Sequence, residues 1–155
     1  MTENDRYNEG LRVRKEVLGA GHVQRSLDAA SDFTRPVQEL VTEYCWGVTW
    51  ARPGLDRRSR SLINLGMLTA LGRSHELAVH VRGAVTNGCT RTEIQEALLQ
   101  ATIYCGVPAG MEAFRVADAT LDELEREGIA IEDGGARDGQ PPSAGEVAAP
   151  PGGGT

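Results

Sequence analysis

What most constrains the fold of this chain is its helix punctuation. Thr90 and Glu93 stand three residues apart ahead of a run that ends at Cys105. At that spacing a threonine hydroxyl and a glutamate carboxylate satisfy each other's orphan backbone donors at a helix start. Gly106 and Pro108 then stop the run, and another helix is expected over about residues 109–126, ended by Gly128. Upstream, Ser74 is placed to cap a helix that Gly88 closes, and Asp56 to cap one over residues 57–71. Asp32 or Thr34 can cap a helix with Pro36 in its first turn, where a missing N–H costs little; Pro53 ends it after Trp50. Earlier still, helices are expected over residues 6–18, stopped at Gly19 or Gly21, and over about residues 23–30. No stretch alternates with period two, so the expected fold class is all-α, with about six to seven helices.

Two of these helices carry unusual faces. In SLINLGMLTAL, residues 61–71, apolar side chains run nearly all round, so this helix is expected to be central and buried on every side. In the preceding helix Val37, Leu40, Val41, Tyr44 and Val48 form an apolar stripe at α spacing, which reads as the core face. Glu39, Glu43, Trp46 and Trp50 fall roughly opposite, at i, i+4, i+7 and i+11. Both tryptophans of the chain lie on that second face. Left open in a monomer, it is expected to be covered by a subunit interface or to line a ligand cavity.

With 155 residues and 40% hydrophobic content, the chain can build one domain with its own core, expected over residues 5–129. Residues 130–155 form a Gly/Pro/Ala-rich tail too poor in large apolar side chains to offset ordering entropy, and are expected to be disordered. A net charge of −6 argues against a protein built to grip nucleic-acid phosphates. Cys45, Cys89 and Cys105 are odd in number and too far apart for a CxxC pair, which suits free thiols in a reducing compartment. The first residues, MTENDRYNEGLRVRKEVLG, are charged from the start. No run approaches the roughly 18 apolar residues of a membrane span, so a cytoplasmic protein without a membrane partner is expected.

The chemistry-bearing residues concentrate in two places. In RSHELAVHVRGAVTNG, residues 73–88, Leu77, Val81, Ala84 and Val85 form the apolar stripe and His80 borders it, one turn after Glu76 and two after Arg73. Such a ladder can set a cation, a carboxylate and an imidazole along one wall, the carboxylate orienting the ring or raising its pKa. It can equally be a solvated ion ladder beside a core histidine. His75, at the helix start, is expected at the surface. In WARPGLDRRSRS the arginines Arg52, Arg57, Arg58 and Arg60 gather near a helix N-terminus, where guanidinium forks and orphan N–H groups make an anion site. They can also be ordinary surface charges, although Arg60 enters the apolar helix and is the least suited to that reading. His22, His75 and His80 are too scattered for a metal site, and no glycine-rich phosphate loop or nucleophile elbow is present.

Taken together, EYCWGVTWARPGLDRRSRSLINLGMLTALGR and then HELAVHVRGAVTNGCTRTEIQEALLQATIYCGVPAGMEAF resemble the carboxymuconolactone decarboxylase family, over roughly residues 7–124. The parts WGVTWARPGLDRRSRS, ELAVHVRGAVTNG and EIQEALLQATIYCGVPA are specific jointly, by order and spacing. The wider alkyl hydroperoxidase D-like superfamily is similar around a CxxCxxxHxxxA signature, whose histidine matches His80 and whose alanine matches Ala84. Arg73 and Glu76 stand at the two cysteine positions. A thiol peroxidase needs a thiolate and a resolving thiol, so that wider resemblance speaks for the fold and not for redox activity.

The resemblance implies a compact orthogonal helical bundle and decarboxylation of 4-carboxymuconolactone to 3-oxoadipate enol-lactone and carbon dioxide. That reaction belongs to protocatechuate breakdown through the β-ketoadipate pathway. No cofactor or metal is expected, because the electrons left by carbon dioxide can delocalise onto the lactone carbonyl oxygen as a dienolate. On this reading Arg52 and Arg60 clamp the carboxylates of a dianionic lactone. His80 donates the proton or hydrogen-bonds the dienolate. Glu43 orients His80, shuttles the proton or instead only pairs with an arginine, and Trp46 and Trp50 exclude water. The family also implies ring-shaped trimers or hexamers, and a homohexamer with its active site near a subunit boundary is expected; a separate enol-lactone hydrolase can be a partner. The competing readings are a hydroperoxidase-like redox enzyme and a noncatalytic helical assembly whose arginines bind an aromatic acid.

Overall fold

A computed structural model describes residues 3–134 of the chain. Its elements are α1 (Glu3–Leu18), α2 (Ala20–Asp28), α3 (Arg35–Leu40), a π-helix (Val41–Trp50), α4 (Arg57–Ala70), α5 (Ser74–Thr86), α6 (Arg91–Cys105) and α7 (Val107–Arg126). No strand occurs among the described residues, so the all-α expectation holds. No helix among them is long and apolar enough to cross a membrane.

Local backbone chemistry sets most of the boundaries. The Asp56 carboxylate accepts from the Ser59 amide at 2.8 Å and starts α4. Thr90 and Glu93 form the reciprocal capping box at the start of α6, the Glu93 carboxylate accepting from the Thr90 amide at 3.0 Å. Gly106 takes φ 99°, a backbone conformation closed to most L-residues, and joins α6 to α7 without a loop. Pro108 does not end a helix there; it sits in the first turn of α7. Ser74 also departs from expectation. It is the first residue of α5, not its cap, and its hydroxyl donates to Glu112 Oε1 of α7 at 3.0 Å.

Two apolar clusters hold these elements. The larger joins Leu65 of α4, Leu77 and Val81 of α5, Ile94 and Leu98 of α6, and Leu121 and Leu124 of α7. Each such side chain, fully buried, contributes about 1.5–3 kcal/mol. The smaller joins Val13 and Val17 of α1 to Trp46 and Trp50 of the π-helix. Past the expected domain boundary, Ile131 packs against the larger cluster and the Glu132 carbonyl accepts from the Arg91 amide at 2.8 Å. The rest of the expected tail, residues 135–155, lies outside the described residues.

The expected core stripe of the tryptophan helix is overturned at Val37, Leu40 and Tyr44, while Val41 packs against the smaller cluster. Val37, Leu40 and Tyr44 are 50%, 55% and 52% exposed, while Trp46 and Trp50 are 3% and 5% exposed. From Val41 the backbone bonds i to i+5, the Ala51 amide reaching the Trp46 carbonyl at 3.1 Å. Each residue there turns by about 80° and not the α-helix's 100°, which brings Thr42, Trp46, Gly47 and Trp50 onto one face, while Val37 and Leu40 lie before the change of winding, in α3. That face lies against α1, where the two backbones nearly touch. A Cβ on Gly10 would fall 1.9 Å from the Thr42 carbonyl oxygen, and one on Gly47 would fall 2.2 Å from the Arg6 carbonyl oxygen. The tryptophans are therefore covered within one chain, without a second subunit.

Beside them Arg14 of α1, 6% exposed, donates to Thr42 Oγ1 at 3.0 Å and to Gln38 Oε1 at 2.9 Å, tying α1 to α3 and the π-helix. Burial pulls its pKa below the ordinary arginine value. The helix expected to be buried on every side, α4, is not. Leu65 and Thr69 are buried, but Ile63 and Met67 are about half exposed and Leu71 more so, so one apolar face opens outward.

Candidate active site

His80 lies on the seam between the two clusters. It follows Leu77 and precedes Val81 on α5, both buried, which holds its half-buried ring at the edge of the larger cluster. The ring faces the tryptophans of the smaller one, parallel to Trp46 within 3° at 6.3 Å between centroids and to Trp50 within 26° at 6.2 Å. Trp46 and Trp50 stack on each other at 4.8 Å, making a continuous aromatic wall. Asn64 of α4 approaches from a different element, with its amide Nδ2 3.3 Å from His80 Nδ1. Burial depresses the His80 pKa below 6.5, with the Glu76 carboxylate one turn earlier opposing it. The imidazole is therefore neutral at pH 7.

Glu43 lies on the edge of the buried π-helix face, where Arg6 of α1 holds it. Arg6 donates through both Nε and Nη2 to Glu43 Oε1, each at 2.8 Å. No ion pair joins Glu43 to His80 among the described residues. Of the two polar residues nearest this machinery, Glu43 thus has an arginine partner and Asn64 has the histidine.

The arginine cluster divides in two. Arg57 pairs with Glu16 of α1 at 2.8 Å, and Arg58 pairs with Glu93, so these two brace α4 against α1 and α6. Arg52 and Arg60 have no carboxylate partner among the described residues. Arg52 is exposed in the connection after the π-helix, and its carbonyl oxygen accepts from Arg60 Nη2 at 3.2 Å. Arg60 Nε is buried without any acceptor, a state that costs about 1–3 kcal/mol until one arrives. Arg60 stands one helical turn before Asn64, so the two share a face of α4. An arginine donor without an acceptor thus shares a face of α4 with the residue that meets the imidazole.

The Arg73, Glu76, His80 ladder does not form as such. Arg73 and Glu76 are exposed and make no ion pair with each other among the described residues, and His75 is exposed as expected. His22 is held below its ordinary pKa by burial and by nearby cations. All three cysteines are free. No group of three or more potential metal ligands stands together among the described residues. Sequence reading missed Asn64, Arg6 and Arg14. Asn64 did leave a signal: it is a polar residue inside the otherwise apolar INLGM segment, four residues after Arg60.

Comparison with known proteins places this arrangement. The model of the carboxymuconolactone decarboxylase family matches residues 35–119, which include Glu43, Trp46, Trp50, Arg52, Arg60, Asn64 and His80. The chain is 48% identical over 122 residues to a nitrosuccinic acid decarboxylase of Metarhizium robertsii, covering 79% of this chain and 85% of the relative. It is 42% identical over 132 residues to a 4-carboxymuconolactone decarboxylase of Acinetobacter baylyi, covering 85% of this chain and 96% of the relative. A Pseudomonas putida protein of that same name matches at 43% identity over 47 residues, covering 30% of this chain and 98% of the relative.

Proposed function

Since this chain belongs to the carboxymuconolactone decarboxylase family, we propose that it removes carbon dioxide from 4-carboxymuconolactone. In that substrate the carbon–carboxylate bond breaks and its electron pair enters the adjacent double bond. Charge then reaches the lactone carbonyl oxygen, and a proton returns to the ring carbon next to that carbonyl, giving the enol-lactone. The protein must hold a dianion, keep the departing carboxylate poorly solvated, and stabilise an anionic oxygen. The observation that carries the reading is a neutral half-buried imidazole walled by Trp46 and Trp50, with Arg60, one turn before Asn64 on α4, holding a guanidinium nitrogen that has no acceptor. A neutral His80 acts as a hydrogen-bond donor to the anionic oxygen, because protonating it costs more here than in water. Glu43, fixed by Arg6, is left to set the charge and shape of the pocket edge.

A second reading has specific support. The relative with 48% identity is named for nitrosuccinic acid, whose decarboxylation also leaves an electron pair beside an acceptor, the charge passing to nitro oxygens as a nitronate. Both acids carry two carboxylates and end with charge on oxygen, so the same residues serve either. The deciding experiment incubates the purified protein with freshly generated 4-carboxymuconolactone and, separately, with nitrosuccinate, following carbon dioxide release and product. Turnover of the lactone alone upholds the first reading, turnover of nitrosuccinate alone the second, and release from neither removes both.

Two predictions follow the charges. Arg52→Ala is expected to raise KM with little change in kcat, since an exposed guanidinium binds ground state and transition state alike; unchanged steady-state constants would take it out of the site. The pH profile is expected to be flat at neutrality and to fall on the acid side through a value below 6.5, because a second proton on His80 Nδ1 sets two donors face to face at the Asn64 amide and displaces the ring. An imidazolium acid would give the reverse, activity falling as pH rises. Folding stability follows the same sign: with a depressed histidine pKa the unfolded state binds more protons, so stability is full above 6.5 and declines below it.

The ring-shaped homo-oligomer belongs to this proposal as well. Ile63 and Met67 of α4, Ile103 and Tyr104 of α6, and Val107 and Met111 of α7 are all half exposed or more. Of these, Ile63 and Tyr104 line a groove of about 470 Å³ between α4 and α6. Exposed apolar area of this kind is what a subunit contact covers. Light scattering is expected to give a trimer or hexamer.

A further inference from the structure

Asn64 is the one polar side chain from outside α5 that hydrogen-bonds His80 among the described residues. Its amide nitrogen faces Nδ1 at 3.3 Å, and an amide N–H can only donate. A ring nitrogen that accepts carries no proton, so the proton of the neutral imidazole lies on the other nitrogen. The His80 Nε2 has no protein partner among the described residues and is not sealed in as an orphan, unlike Arg60 Nε. The aromatic wall lies parallel to the imidazole plane, so it limits tilting but not the choice of nitrogen. Glu43 is committed to Arg6, and no ion pair links Glu76 to the ring. The choice of nitrogen therefore falls to Asn64.

We infer that Asn64 is a positioning residue that fixes His80 as the Nε2–H tautomer, so that the open nitrogen meets the substrate as a donor to its developing oxyanion. The inference rests on the decarboxylase reading for its catalytic consequence, but not for the proton's location. A donor aimed where charge develops works only if the proton is already on the correct nitrogen; the other tautomer would present a lone pair to an anionic oxygen. Asn64 sits on α4 one turn after Arg60, so a single helix face both orients the imidazole and carries the cation.

Nitrogen-15 histidine spectra of the full-length protein test this without any substrate, with the His80 signals identified by their loss in His80→Gln. The wild type is expected to show Nε2 protonated and Nδ1 bare above the pKa. Asn64→Asp keeps the shape but offers only acceptors, so it is expected to move the proton to Nδ1. It should also raise the pH midpoint of the His80 titration in the same spectra and lower kcat about 10- to 100-fold, the scale set by partners that orient metal-bound histidines, with KM within about twofold. A wild type with Nδ1 protonated overturns the inference, and that readout needs no variant to fold. So does an Asn64→Asp protein with the wild-type tautomer, or one with a moved proton and unchanged kcat. If neither acid is turned over while the tautomer behaves as stated, the substrate reading fails and the assignment of the proton stands.

Discussion

His80→Ala is expected to lower turnover about 10²- to 10⁴-fold while the helical circular dichroism spectrum is kept, the range for loss of a positioned acid–base or hydrogen-bonding group. The ring does two things that must be separated: it packs against Trp46 and Trp50, and its Nε2 has no protein partner among the described residues. His80→Phe separates these roles. Phenylalanine keeps a flat ring against the indoles and has no nitrogen, so it should lose activity as fully as alanine while regaining stability. A folded His80→Phe protein with near wild-type kcat would show that His80 only fills space. The half-buried position makes such variants tolerable to the fold, because Leu77 and Val81 on either side supply the core contact of α5.

The second large effect concerns Gly10 and Gly47. Gly47→Ala and Gly10→Ala are each expected to destabilise the chain by about 1–3 kcal/mol or more, read as a fall in the urea midpoint. Intrinsic preference predicts the opposite sign, since alanine is favoured over glycine within a helix by roughly 0.5–1 kcal/mol. Space decides here: the added methyl carbon would lie 1.9 Å from a carbonyl oxygen at Gly10 and 2.2 Å from one at Gly47, and backbone cannot swing aside as a side chain can. Gly21→Ala is the control, because its methyl would meet only the flexible end of Arg25 at 3.4 Å. It should be neutral or slightly stabilising. Equal behaviour of all three variants would mean that the close crossing of α1 and the π-helix does not exist in solution. The crossing also carries the tryptophans, so a folded Gly47→Ala protein should lose turnover together with stability.

The contrast between these two regions shows what could be read from the sequence. Asp56, the Thr90 and Glu93 pair, and Gly106 act within a few residues of themselves, by satisfying or freeing local backbone groups. Their spacing alone therefore announces α4, α6 and the break before α7. His80 was legible as a candidate through its place beside an apolar stripe and within a family pattern, and Arg52 and Arg60 through their nearness to the start of an apolar helix. Spacing could not say which arginines are already neutralised. Glu16 and Glu93, which occupy Arg57 and Arg58, come from distant parts of the chain. Asn64 was overlooked for the same reason: its partner lies sixteen residues on, on another helix.

The sequence by itself determined the helical class, most helix ends and the family, because caps, periodicity and motif order are properties of neighbouring residues. The tertiary structure alone decided which face of the tryptophan segment is inside. Periodicity reading assumes α winding, and at Val41 the chain leaves it for i to i+5 bonding. Docking of that segment on α1 leaves Val37, Leu40 and Tyr44 of the assumed core stripe outside and turns Trp46 and Trp50 inward. The contact that accommodates this winding, Gly10 against Thr42 and Gly47 against Arg6, joins residues more than thirty positions apart. A local pattern carries no record of such a contact, and it is this contact that seats the aromatic wall in front of His80.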